Sequence, residues 1–259
     1  ISENVKAGRS TKIMLPELTL PYLVPGQEVL LDDGKIHLKI VEKAENVTEN
    51  GGENTQEKRY FAKVLWGGLL KSRKSAALPG AKIYPPTLTN SDLANIKIAK
   101  EMGVTGVMQP FVRDHSDLER VKEALREAGA EDIRLFAKIE NMDGVRKLEK
   151  LLPAADEIVI ARGDLGNAVH LWDLPGVQRQ ISEKCRAAGK PFMVVTQMLA
   201  SMERSPVPTR AEVNDIFHAV MDGAASIMVT GETAVGDYPV EVIRYMVNTV
   251  RSAEKEENR

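Results

Sequence analysis

Two stretches decide the fold: Ile133-Arg134-Leu135-Phe136-Ala137-Lys138-Ile139-Glu140-Asn141 and Glu157-Ile158-Val159-Ile160-Ala161-Arg162-Gly163-Asp164-Leu165-Gly166. Each opens as a short apolar run and ends in charged and polar residues. Such runs suit the strands of a parallel sheet covered on both faces. Between them, Met142 to Leu152 reads as a helix. The same alternation extends in both directions. Val104 to Val112, Phe192 to Thr196 and Ser226 to Thr230 read as strands. Ser91 to Met102, with Asn90 or Ser91 as N-cap, reads as a helix, as do Ser116–Ala128, Pro175–Ala188, Thr209–Met221 and Pro239–Arg251. Leu118, Val121 and Leu125 fall at helical spacing. The charged tail from Glu254 to Arg259 is expected to fray. Repeated strand–helix units with right-handed crossovers give a doubly wound sheet or a (β/α)₈ barrel. No glycine-rich dinucleotide fingerprint follows a strand, which weakens the first option. Five units are present, fewer than the eight of a closed barrel.

Residues 1–79 have a different, β-rich pattern. Val29 to Leu31 and Ile36 to Ile40 flank Asp32-Asp33-Gly34-Lys35, and Asp33-Gly34 is a strong hairpin signal of the type I′ kind. Arg59 to Trp66 is a further strand. The polar segment Ala44 to Lys58, with Asn50-Gly51-Gly52, reads as a loop or long hairpin tip. Pro16, Pro21 and Pro25 argue against helices in the opening segment. The chain thus divides into a β-rich domain, 1–79, and strand–helix units over 80–259.

The whole chain has 259 residues, 43% apolar and 28% charged, with a net charge of -2. That length buries a full core without disulfides. The charge balance gives no reason to expect nucleic acid or an anionic membrane as partner. The single cysteine, Cys185, excludes an internal disulfide and a multi-cysteine zinc site, and a reducing cytoplasm is the natural compartment. Asn46-Val47-Thr48 is expected to be a glycosylation sequon in spelling only, as no secretory signal is read in these residues. The four histidines are scattered and suggest no metal cluster.

Chemistry concentrates where the strands end: Lys138-Ile139-Glu140-Asn141, Arg162-Gly163-Asp164, Thr196-Gln197-Met198 and Thr230-Gly231-Glu232-Thr233. In a parallel α/β layout these ends share one rim. Lys138 and Glu140 are two apart, so on a strand they point to one side. Asp164 ends the adjacent strand. Two close carboxylates repel unless cations lie between them; Lys138 offsets one and a hard divalent ion would offset the other. Taken singly, Lys-x-Glu is ordinarily a surface pair, Arg-Gly-Asp-Leu-Gly a plain turn, and Thr196 a hydroxyl serving the backbone. Their co-location on successive strand ends carries the functional reading.

These residues resemble the pyruvate kinase family. The resemblance lies in Lys138-Ile139-Glu140-Asn141 to Gly144-Val145 and Ala161 to Gly166. It continues through Ala188-Gly189-Lys190-Pro191, Thr196-Gln197-Met198-Leu199-Ala200-Ser201-Met202 and Pro208 to Val213. Gly231-Glu232-Thr233-Ala234 and Gly236-Asp237-Tyr238-Pro239 close the series. It runs through residues 85–250 in order and spacing. Over 1–79 it rests on Asp32-Asp33-Gly34 and on Gly67-Gly68 to Gly80.

The resemblance implies a (β/α)₈ TIM barrel carrying a small all-β lid, with strands four to eight in this chain. It implies phosphoryl transfer from phosphoenolpyruvate to ADP, giving pyruvate and ATP in glycolysis, with Mg²⁺ and K⁺. Lys138 would steady the phosphoryl group and the developing enolate. Glu140 and Asp164 would hold Mg²⁺. The N–H groups of Gly163 and Asp164 would hold the substrate carboxylate. Thr196 would meet the substrate near the carbon that is protonated. Lys74, with Arg73 beside it, would meet the nucleotide phosphates. The resemblance also implies three further barrel strands, with phosphate and K⁺ ligands, and a C-terminal regulatory domain. None of these is in the sequence, and its opening at Ile1 gives the expectation that an N-terminal piece precedes it. Pro110, Val207 and the segment Asn167 to Trp172 depart from the family pattern. Two other readings stay open: a Mg²⁺-dependent enolate-forming lyase or aldolase, and a non-catalytic or degenerate relative. A homo-oligomer is compatible with all three. Lys138→Met is expected to lower transfer by several orders of magnitude while leaving folding little changed.

Overall fold

The computed structural model of the chain describes residues 2–5, 11–32, 34–44, 58–72 and 74–257. Asp33, Arg73, the sequon at Asn46 and the Asn50-Gly51-Gly52 segment lie outside these residues. The chain divides into two units, Ile1–Pro85 and Pro86–Arg259.

The first unit contains β1 (Ser2–Val5), β2 (Glu28–Leu31), β3 (Ile36–Lys43), β4 (Tyr60–Trp66), β5 (Gly68–Lys71) and β6 (Ala76–Ala77). An antiparallel sheet has the order β4-β3-β2-β6, and β1 pairs with β5. The hairpin turns where the sequence predicts, with Leu31 opposite Ile36 and Lys35 N donating to Asp32 O at 3.2 Å. Gly34 takes φ 81°, a conformation that suits a residue without Cβ. Val29, Leu31, Ile36, Leu38 and Ile40 fill the core with Val5, Leu23 and Leu78. The prolines do not exclude all helix. A 3₁₀ turn covers Glu17–Tyr22 with Pro21 inside it. Pro16 stands before that turn and serves as an acceptor, so its missing N–H is not needed.

The second unit alternates strands and helices. The strands are β7 (Gly106–Gln109), β8 (Arg134–Ile139), β9 (Glu157–Ala161), β10 (Phe192–Val195) and β11 (Ser226–Met228). The helices are α1 (Asn90–Ala99), α2 (His115–Glu127), α3 (Met142–Arg146), α4 (Leu148–Leu151), α5 (Arg162–Ala168), α6 (Leu174–Ala187), α7 (Arg210–Met221), α8 (Gly231–Ala234) and α9 (Pro239–Glu257). All strands are parallel, in the order β11-β10-β9-β8-β7. Each strand therefore lies beside its predecessor. A doubly wound sheet reverses its order at a switch point, and this one does not.

Strand alternation gives the sheet two different faces. Leu135, Ala137, Ile139, Ile158, Ile160 and Val194 pack with Leu118, Val121, Leu148, Ile181 and Ile216 from the helices. Val159, Ala161 and Val195 face the other way and cluster with Phe136, Met193 and Met228. The helices thus cover one face, as on the outside of a barrel. Among the described residues, no helix is long and apolar enough to cross a membrane.

Several boundaries differ from expectation for local reasons. The capping box of α1 uses Thr89 with Asp92, not Asn90 or Ser91. β7 stops at Gln109, because Pro110 offers no N–H and Phe111 turns at φ 51°. The expected helix over 142–152 breaks into α3 and α4 at Lys147. Arg162-Gly163-Asp164-Leu165-Gly166 is not a plain turn but most of α5, anchored by the fully buried Leu165. β10 ends one residue early, because Thr196 turns at φ 80°. α9 continues to Glu257 instead of ending near Arg251.

Candidate active site

The pairing of β8 with β9 sets Ile139 opposite Ile160, so Glu140 follows the end of β8 beside Ala161, and Arg162 begins the helix after β9. Lys138 Nζ lies 2.8 Å from Glu140 Oε1, and both side chains take the side opposite to buried Ile139. Glu140 is almost fully buried, so its charge needs partners. Its second oxygen accepts the backbone N–H of Phe111 at 2.7 Å. The loop after β7 is thereby tied to the end of β8. Asn141 reinforces the tie: it caps α3 through the Gly144 N–H at 2.9 Å and donates to Val112 O at 3.2 Å. Gly144 is needed there, since a Cβ would stand 2.6 Å from Val112 O.

Buried Asp117 anchors the other end of that loop. It accepts from Thr87 Oγ1 at 2.6 Å, Arg113 N at 2.9 Å and Arg113 Nη2 at 2.6 Å. Burial alone would push its pKa up, but the Arg113 side chain, the Thr87 hydroxyl and the Arg113 N–H outweigh it and bring it down to about 2.

At the end of β9, α5 begins directly after Ala161, a residue with no polar side chain to cap it. Asp164 stands in its first turn. Gly163 lies against Thr196: a Cβ on Gly163 would be 3.0 Å from Thr196 Cγ2. Thr196 and Gln197 both adopt positive φ, 80° and 55°. For non-glycine residues this costs about 1–3 kcal/mol each and persists only where the surroundings enforce it. Two side chains bear on this loop, largely buried Arg162 and buried Glu232. Arg162 Nη2 donates to Thr196 O at 2.7 Å and Nη1 to both oxygens of Asp215 at 2.8 and 2.7 Å. Glu232, also buried, accepts from Leu199 N at 3.2 Å and from Thr230 N at 2.7 Å.

The rim therefore unites Lys138 with Glu140, and Gly163 with Thr196, while Asp164 stands two residues beyond Arg162 in the first turn of α5. Lys74 belongs to the first unit, where its Nζ lies 2.9 Å from Asp32 Oδ1. Arg73 lies outside the described residues. Arg162, Asp215 and Glu232 carry no role in the sequence reading. Two of them stand inside the quoted motifs, and a charged residue directly beside Gly163 or Gly231 was the available signal. Asp215 gave none, since only the folded chain brings α7 to β9.

Glu140 and Asp164 supply hard carboxylate oxygens, a donor set that suits Mg²⁺. Among the described residues no three His, Cys, Asp or Glu side chains form a metal-holding group.

Residues 3–243 match a family profile described as pyruvate kinase, barrel domain. The chain is 38% identical over 230 residues to a pyruvate kinase of Bacillus licheniformis, covering 89% of this chain and 38% of that protein. It is 39% identical over 233 residues to one of Geobacillus stearothermophilus, covering 88% of this chain and 38% of that one. A pyruvate kinase of Chlamydia trachomatis is 33% identical over 256 residues, covering 98% of this chain and 50% of that protein. The chain thus spans half or less of the length of these relatives. On the profile match, with the sequential parallel strand order beside it, the chain belongs to the pyruvate kinase family.

Proposed function

We propose that the full chain carrying these residues transfers the phosphoryl group of phosphoenolpyruvate to ADP, giving pyruvate and ATP. The observation that carries this is the pairing of half-buried Lys138 with buried Glu140 on the same strand-end rim as Gly163, Asp164 and Thr196. Phosphoryl transfer needs positioning and charge stabilisation more than covalent chemistry. Lys138 supplies a fixed cation for the phosphoryl oxygens and for the enolate oxygen that develops as the bond breaks. Its ammonium is pre-oriented by Glu140, so little reorganisation is needed during reaction. The N–H groups of Gly163 and Asp164, at the start of α5, hold the substrate carboxylate. The Thr196 hydroxyl stands near the enolate carbon and takes part in delivering its proton. Glu140 and Asp164 would hold Mg²⁺. Bound there, the ion would neutralise charge on the transferring group. Lys74 is assigned to the nucleotide phosphates. K⁺ is assigned as second cation, with ligands outside residues 1–259. Glycolytic transfer of this kind places the protein in the cytoplasm.

A coupled assay of the full chain with phosphoenolpyruvate, ADP and Mg²⁺ tests this reading. Pyruvate formation that stops when ADP or Mg²⁺ is withheld supports it. Pyruvate released from a hydroxy-oxo-acid without ADP would favour a lyase instead. Substrate binding without turnover would favour a non-catalytic relative.

A further inference from the structure

Arg162 is the first residue of α5 and is largely buried, yet nothing in the transfer reaction above employs it. Its guanidinium faces two ways. Nη1 meets both Asp215 oxygens at 2.8 and 2.7 Å. Nη2 and Nε converge on the carbonyl of Thr196 at 2.7 and 3.3 Å. Nη2 also reaches Met198 Sδ, so three contacts fall on one short loop. That loop has an unfavourable backbone, with the β-branched Thr196 at φ 80° and Gln197 at φ 55°. A planar five-donor fork can hold a carbonyl on one edge and a carboxylate on the other; a lysine ammonium is a point charge and cannot. The neighbouring Gly163 touches the Thr196 side chain from the same helix start.

We infer that Arg162, held by Asp215, is a positioning residue: it fixes the strained Thr196 backbone so that the Thr196 hydroxyl meets the enolate carbon. The catalytic part of this inference rests on the phosphotransfer reading above. The backbone part does not. Through Asp215, the setting of α7 against β9 also determines where Thr196 stands.

The test compares Arg162→Lys, Thr196→Ala and their combination in the full chain. Arg162→Lys is expected to lower kcat about tenfold or more, with KM for phosphoenolpyruvate changing less than about threefold. In the Thr196→Ala background the same change is expected to cost less than about twofold. Equal losses in both backgrounds would mean that Arg162 does not act through Thr196, and would overturn the inference. Amide hydrogen exchange supplies a readout that needs no turnover. Arg162→Lys is expected to speed exchange in the peptide spanning residues 195–202 and leave that spanning 157–161 unchanged. Unchanged exchange over 195–202 would overturn the inference even if activity fell. If the unmodified chain forms no pyruvate, the phosphotransfer reading fails, and exchange alone decides the clamp. Should Arg162→Lys unfold, Asp215→Asn replaces it: Asp215 is 33% exposed, and the same signs are expected at smaller amplitude.

Discussion

Phe111 donates its backbone N–H to Glu140 Oε2 at 2.7 Å, while Lys138 stands 2.8 Å from the other oxygen. The carboxylate therefore joins two consecutive strand ends as well as fixing a cation. Lys138→Met should then do more than remove a transition-state partner, contrary to the expectation that folding is little changed. It leaves a buried charge half-satisfied, which costs about 3 kcal/mol, and lowers transfer about 10²–10³-fold. Adding Glu140→Gln should restore most of the stability and none of the activity. Urea unfolding midpoints beside the coupled assay check both. A Lys138→Met variant as stable as the parent would mean the pair does not bear on folding.

Gly163→Ala should press a methyl against Thr196 Cγ2, at 3.0 Å before any relaxation. We expect a loss of about 1–2 kcal/mol in stability, as for overpacking, together with reduced transfer. Thr196→Ser removes the methyl that is struck. The double variant Gly163→Ala/Thr196→Ser should recover stability relative to Gly163→Ala alone. Strictly additive effects would show that the two side chains do not meet.

Asp117 gives the chain an acid limit of known sign. Its pKa is depressed in the folded state from 3.8 to about 2, so its contribution is present above about pH 4 and is lost as pH falls through about 2. The contribution corresponds to roughly 2 kcal/mol. Asp117→Asn should therefore be less stable at neutral pH, yet have a flatter stability profile between about pH 4 and pH 2. Parallel profiles for the two proteins would remove Asp117 from the acid response.

Cys185 is fully buried in α6, and burial pushes its thiol up to about 12, with Lys190 offsetting this in part. The thiol should stay unmodified by a disulfide reagent at about pH 8, where a free thiol is substantially ionised. Labelling should appear only with denaturant and follow the unfolding curve. Fast labelling of the folded chain would place the thiol in a more open setting.

Much of the second unit was legible because its signals are local. Leu118, Val121 and Leu125 keep helical spacing, and the run from Ile158 to Ala161 has no polar break. Lys138 and Glu140 fall on one side because a strand alternates, so their pairing could be read from a spacing of two. Less legible was what depends on contacts distant in sequence. The helix in Arg162–Ala168 contains two glycines, and Leu165 holds it only once the core exists to receive it. The left-handed turn at Thr196 runs against the preference of a β-branched residue and is supported by Arg162, 34 residues earlier. The grip of Asp215 on Arg162 spans 53 residues and leaves no mark in either local sequence.

The strand order from β7 to β11 has a consequence for synthesis. Each new strand needs only the edge its predecessor has just presented, a few tens of residues back along the chain. No strand has to wait for one not yet made. Parallel pairing is ordinarily slow because it requires long loops to close before any contact forms. Here that penalty is divided into short, successive steps, each of which can be taken as the polypeptide leaves the ribosome. Intermediates in this unit would then be native-like sheets of increasing width, each with one growing edge.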